Sequence, residues 1–374
     1  MEYPMNDPTV ALLRDVFGAK RQLILRMVES DDSLEPFLIG PTFCASHRQL
    51  LISVFTTSTT VLQDALLASS TAWMDDMSME PCDAYQKASS ALSKLSALEV
   101  KNQDDATTCL TLGALIHTFA LKLRVGDIYL ICSEALGRIK PIYESEHYSD
   151  SPSFFMLTCM VAHEILECLV RCCRPMLRYK PSVDPTRVDR FVGLSGTLLP
   201  LLQDICELNA ALSCVDRTGG AEVNAALLSV EQAVMDWFPP VPSGFTSLFT
   251  SMETTHMLCQ ARVTRMAALM IIHRLRHPFG RETGSALAMA STIMHELEIT
   301  QQITGKQAKC VDLAILVACL EFEGNSRDSW IHKTERLLGY SMEYKARIQG
   351  IIKSFWAAKD RGQDLFWYDL STVA

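Results

Sequence analysis

The chain contains no CxxC pair, although it carries thirteen cysteines. Clustered zinc sites need closely paired thiolates, because each ion takes four ligands in tetrahedral geometry, and that class of site is excluded. Basic excess is missing as well: 34 Lys and Arg stand against 43 Asp and Glu, a formal net charge of −9. A surface that grips a phosphate backbone concentrates positive charge, so direct nucleic-acid contact is not expected. No GxSxG elbow, Walker loop or dinucleotide fingerprint occurs, and Gly193 and Gly196 in VGLSGT follow no strand pattern. The hydrolases and nucleotide-binding enzymes that depend on those loops drop out. Period-two alternation, fixed-period repeats and low-complexity tracts are all missing, which disfavours sheets and regular solenoids. The start, MEYPMNDP, has no apolar core, and the apolar stretches are short or interrupted by charge. Neither a secretory signal nor a membrane span is expected, and an intracellular soluble protein is.

What is present is helical periodicity. With 374 residues, 48% of them hydrophobic, the chain can bury a large core without metals or disulfides. The expected class is all-α, a single large irregular helical array of roughly a dozen helices. Short clusters of Pro, Gly, Asp and Ser punctuate it, for example at Asp31–Pro41, Pro141–Ser153 and Pro239–Gly244. The helix read over Arg187–Leu212 contains Pro200, which should kink or split it. Asp7–Glu29 reads as an amphipathic helix, so the organisation is an N-terminal helix and linker over 1–40, then one helical domain over 41–374. An odd number of cysteines argues against a closed disulfide framework, and on helices these thiols act as small apolar residues. Cys168, Cys172 and Cys173 are read in that way.

Candidate chemistry is confined to a few polar groups. His163, Glu164 and Glu167 form HEILE, which resembles the zincin HExxH but has glutamate in place of the second histidine. At about 100° per residue these three share one stripe with Arg171 and Arg174 along an apolar helix. Such a stripe either lines a cavity or pairs internally, as Glu167 and Arg171 can at i, i+4. Internal pairing is the favoured reading. His117 and Trp237 complete the set of possible pocket residues, His117 being expected as a hydrogen-bonded core histidine. Arg262, Arg265, His273 and Arg276 form a second stripe, able to hold an anion or an acidic partner helix, or to meet carboxylates elsewhere in the chain. His147 lies in the acidic loop Glu144–Asp150. The tail DLFWYDL over Asp364–Leu370 either docks on a partner groove or folds back on the body. No residue is assigned a catalytic role, and no metal or cofactor is expected.

Several segments together resemble the regulatory (middle homology) domain of fungal Zn2Cys6 transcription factors: CLTLGALIHTFALKLRVGDIYLICSEALGRIKPIY over Cys109–Tyr143, Phe154–Leu177, Arg187–Leu208, the turn DWFP at Asp236–Pro239, Ala261–Gly280, Ala286–Leu297 and Trp356–Leu370. The zinc cluster that precedes this domain in such factors is not found in the chain. The resemblance implies a helical fold and a regulatory or interaction role, nuclear or nucleocytoplasmic, tied to a fungal secondary-metabolite pathway. The implied partner is another regulator or a second copy of the chain, with no nucleic acid and no membrane. The alternative is a cytoplasmic enzyme on the same fold, a cofactor-independent cyclase, isomerase or pericyclase that encloses an apolar small molecule.

Overall fold

Apolar residues recurring at helical spacing, with almost no strand-forming alternation between them, leave helix-on-helix packing as the way to bury the core. A computed structural model of the chain describes residues 34–73, 81–123, 126–145, 151–214, 221–339 and 341–373. Among them lie fifteen α-helices and no strand, and the only β feature is an isolated bridge between Asp189 and Gly193. The class is all-α. The helix read at Asp7–Glu29 and His147 fall outside the described residues. The chain divides into two compact units, Met1–Met160 and Val161–Ala374.

The first unit contains α1 (Cys44–Thr57), α2 (Thr59–Trp73), α3 (Pro81–Ala97), α4 (Gln103–Leu123) and α5 (Ile128–Ser145). Its centre is α4, which packs against both α2 and α5. Every residue from Ala106 to His117 is buried, Thr107, Thr108 and Thr111 included. The threonines tolerate this because their hydroxyls donate to carbonyls four residues back, as Thr111 does to Thr107 at 2.8 Å. Gly113 lets α4 and α5 approach closely, since a Cβ there would stand 2.7 Å from that of Ala135. A polar tie joins α2 to α3: Asp64 accepts from Lys87 at 2.7 Å, Ser90 at 2.7 Å and Lys94 at 2.9 Å. Burial pushes the Asp64 carboxyl up, but these donors outweigh it and hold the group well below the usual carboxylate range. Pro141, read as the start of a break, lies inside α5, which continues to Ser145.

The helix α6 (Leu157–Arg171) leads into the second unit. It ends with Cys172 in the left-handed region, φ 56°, and the Cys173 N–H returns to the Cys168 carbonyl at 3.2 Å. This is the C-terminal arrangement usually made with glycine. Here it is held by the Cys172 thiol, which donates to the Tyr368 carbonyl at 3.0 Å. After α6 the chain runs without regular helix until α7 (Leu199–Cys214). The expected helix over Arg187–Leu212 is therefore corrected. Pro200 occupies the first turn of α7, where its missing N–H costs nothing.

There follow α8 (Ala221–Asp236), the short α9 (Phe245–Leu248), α10 (Ser251–Arg276), α11 (Thr283–Thr304), α12 (Asp312–Glu321), α13 (Asn325–Leu337), α14 (Met342–Asp360) and α15 (Leu370–Val373). The longest, α10, starts at a reciprocal capping box: the Thr250 hydroxyl accepts from Glu253 N at 3.2 Å, and the Glu253 carboxylate accepts from Thr250 N at 2.9 Å. It packs against α7, α8, α11 and α12. Leu316, Val317, Ala318, Cys319 and Leu320 of α12 are all buried, and α14 covers that helix further. The aromatic tail folds into this unit. Trp367 is fully buried and donates from Nε1 to the Leu169 carbonyl at 3.0 Å.

One expectation about membranes needs correcting. Gln103–Leu123 and Pro152–Arg171 are long and apolar enough to cross a bilayer, yet 78% of each window is buried inside the protein. Helices apolar on every side are what a central core position demands.

Candidate functional site

The stripe on α6 places two carboxylates on a helix that is otherwise apolar. Removing a charge from water costs several kcal/mol unless partners replace the lost hydration, by about that order for each ion. Glu167, 2% exposed, has such partners. Arg171 reaches it from one turn onward, Nε to Oε2 at 3.0 Å, and Arg347 of α14 approaches both oxygens, at 2.6 and 2.7 Å. Glu164 is fully buried and accepts the Met176 N–H at 2.9 Å, fastening the turn after α6 back onto the helix. His163 is half-buried on the same helix. Arg174 leaves the stripe, because α6 ends at Arg171, and pairs with Glu207 at 3.2 Å.

This arrangement joins α6 to α14 and to the segment beyond α6. Both guanidiniums converge on one carboxylate, so its oxygens are committed to holding α6 against α14. His117 belongs to α4 of the first unit, where it is buried. Trp237 donates from Nε1 to Thr197 Oγ1 at 3.0 Å, ahead of α7.

The basic stripe of α10 is likewise matched within the chain. Arg262 pairs with Glu296 of α11, and Arg276 pairs with Glu231 of α8 at 2.5 Å. Arg265 donates to the carbonyls of Val234, at 2.9 Å, and of Met235. Those are last-turn carbonyls of α8, which lack helical donors and carry the negative end of its dipole. Its guanidinium also lies over the Phe238 ring, 5.1 Å from the centroid. His273 meets the Glu282 carbonyl through Nε2 at 3.1 Å. Burial and the neighbouring Arg274 hold its pKa below the ordinary histidine value.

The most completely satisfied charge of α10 was not singled out by its sequence. Arg274 is fully buried and donates two parallel hydrogen bonds to Glu321 of α12, Nε to Oε1 at 2.6 Å and Nη2 to Oε2 at 2.7 Å. Its Nη1 donates to the carbonyls of Pro278, at 2.9 Å, and Arg281, at 2.7 Å, while Phe279 lies 5.0 Å away under the guanidinium. Arg347 was also missed. Each joins helices distant in sequence, and no local spacing reports such a pairing.

A groove of about 490 Å³ lies along α10 and α11, lined by Thr255, Ser291, Thr292, His295, Glu296 and Ile299 among others. None of the candidate pocket residues reaches it. No group of three or more His, Cys, Asp or Glu side chains among the described residues is placed to hold a metal ion. The described cysteines are free thiols. Burial pushes those of Cys109 and Cys319 up to about 12, which makes them unreactive.

The model of the fungal specific transcription factor domain matches residues 36–372. No curated protein matches the chain. No solved structure does either. The family match runs across both helical units, and this chain belongs to the fungal specific transcription factor domain family.

Proposed function

We propose that the protein is a transcriptional regulator in a fungal secondary-metabolite pathway that works through protein contacts and does not itself bind DNA. Family membership supports a regulatory role. The observation that carries the mechanistic part is the internal matching of the candidate charges: Glu167 with Arg171 and Arg347, Arg262 with Glu296, and Arg276 with Glu231. Side chains committed to fixing helices in place serve a scaffold that presents surfaces to a partner. An acidic balance of −9 agrees with contact to protein in preference to a phosphate backbone. Residence in the nucleus, with another regulator or a second copy as partner, follows from this reading.

Deletion of the gene, with pathway transcripts and metabolites measured in the same cultures, tests it. Loss of transcripts across the pathway is the expected outcome. Normal transcripts with one accumulated intermediate would overturn the regulatory reading and favour the cyclase or isomerase alternative.

A further inference from the structure

The connection from α8 to α9 reads Trp237-Phe238-Pro239-Pro240-Val241-Pro242-Ser243-Gly244. Proline locks its own φ and drives the preceding residue into an extended conformation. Phe238 precedes Pro239, Pro239 precedes Pro240, and Val241 precedes Pro242, so each residue from 238 to 242 is constrained by one of these effects or by both. In the structure 237–242 has no helix or strand, and a turn follows at Ser243 and Gly244, the latter with φ 71°.

The segment is held at both ends. Upstream, Arg265 binds the Val234 and Met235 carbonyls, and Trp237 is tied to Thr197. Downstream, Phe245 is buried and its N–H returns to the Pro242 carbonyl at 3.2 Å. Between these anchors Phe238 is 72% exposed and Val241 45% exposed. Two apolar side chains facing water three residues apart, with half-buried Pro239, Pro240 and Pro242 around them on a segment fixed at both ends, mark an interaction surface.

The chemistry of the segment selects its partner. Three prolines without N–H donors cannot extend a sheet edge, and they cannot continue a helix laid in a groove. An extended proline helix has about three residues per turn. The two pairs of apolar residue and proline, Phe238-Pro239 and Val241-Pro242, are therefore in register along one edge. Grooves lined with aromatic side chains read this pattern, and a segment already extended loses little entropy on entering one. We propose that Phe238–Pro242 is a docking ligand for a polyproline-reading domain whose aromatic-lined groove receives those two pairs. The assignment goes beyond the regulatory reading and stands without it.

The test is binding of the full purified chain to an array of purified fungal polyproline-reading domains, followed by interferometry up to about 1 mM. Saturable binding by at least one domain is expected. It should weaken at least about tenfold in the double variant Pro239→Ala, Pro242→Ala and in Val241→Glu, which leaves every anchor intact. Circular dichroism melting verifies that both variants remain folded. Absence of binding across the array, or binding indifferent to both variants, overturns the assignment. Self-association of the chain in sedimentation that Val241→Glu abolishes would also overturn it, by identifying a second copy as the occupant. Binding is read on purified protein and regulation on transcripts in culture, so either claim can fail while the other stands.

Discussion

Replacing Glu321 with leucine removes one half of a pair whose side chains are 0% and 2% exposed. Breaking a buried, hydrogen-bonded ion pair costs about 3–5 kcal/mol, because the remaining charge stays out of water. Arg274 would still hold the Pro278 and Arg281 carbonyls and the face of Phe279. Glu321→Leu should therefore fall near the lower end, at about 3 kcal/mol. Arg274→Met removes the donors of Glu321 and those of the two carbonyls, each worth about 1–3 kcal/mol when left unsatisfied and buried, so it should lie at or above about 5 kcal/mol. The double variant leaves no buried charge at this pair. Its cost should be less than the sum of the singles by about 3 kcal/mol, an interaction energy at the upper end for neighbouring residues. Urea unfolding followed by tryptophan fluorescence measures this, since Trp237, Trp330, Trp356 and Trp367 all belong to the second unit and only Trp73 to the first. Stability differences are compared for that transition alone, because two units need not unfold together. A Glu321→Leu effect under about 1 kcal/mol, or additive single and double variants, would refute the reasoning.

Other consequences are equally measurable. Burial raises the Asp312 carboxyl from 3.8 to about 7, so the folded chain holds a proton there that the unfolded chain releases, and this group reduces stability as pH rises through that window by up to about 1.4 kcal/mol per unit. Asp312→Asn should accordingly stabilise most above pH 7 and lose that advantage as pH falls toward 3.8, and a gain that is flat across pH would contradict it. Alkylation of the native protein by iodoacetamide should label exposed Cys82 first and spare buried Cys109 and Cys319, whose thiols stand near 12; peptide mass spectrometry reads the order. Gly113→Ala would bring a methyl group to 2.7 Å from Ala135 Cβ and should cost about 1–3 kcal/mol through overpacking, seen as a lower melting temperature.

The helical class was legible because periodicity and capping act over a few residues. The sequence Thr250-Ser251-Met252-Glu253 carries the capping box that starts α10, a signal that would have placed its beginning ten residues before Ala261. The Glu167–Arg171 contact was also readable, since an i, i+4 pair depends on helix geometry alone. Pro200 misled in one respect: proline marks a boundary without saying whether it lies within a helix or in its first turn, and here the first turn was correct. Thr111 and His117 are both buried, because α2 and α5 flank α4.

Amino-acid order alone therefore determined the all-α class, the break at the prolines before α9 and the family to which the chain belongs. These depend on dihedral limits and on spacing between near neighbours. Only tertiary structure decided which charges meet across different helices. Arg347 comes to Glu167 across 180 residues, Arg274 to Glu321 across 47, and Trp367 to the Leu169 carbonyl across 198. Charges and hydrogen bonds select partners by distance in space, which helix packing sets and local periodicity leaves open. The same packing ties α6 to α14 through Glu167 and leaves Phe238 and Val241 facing water.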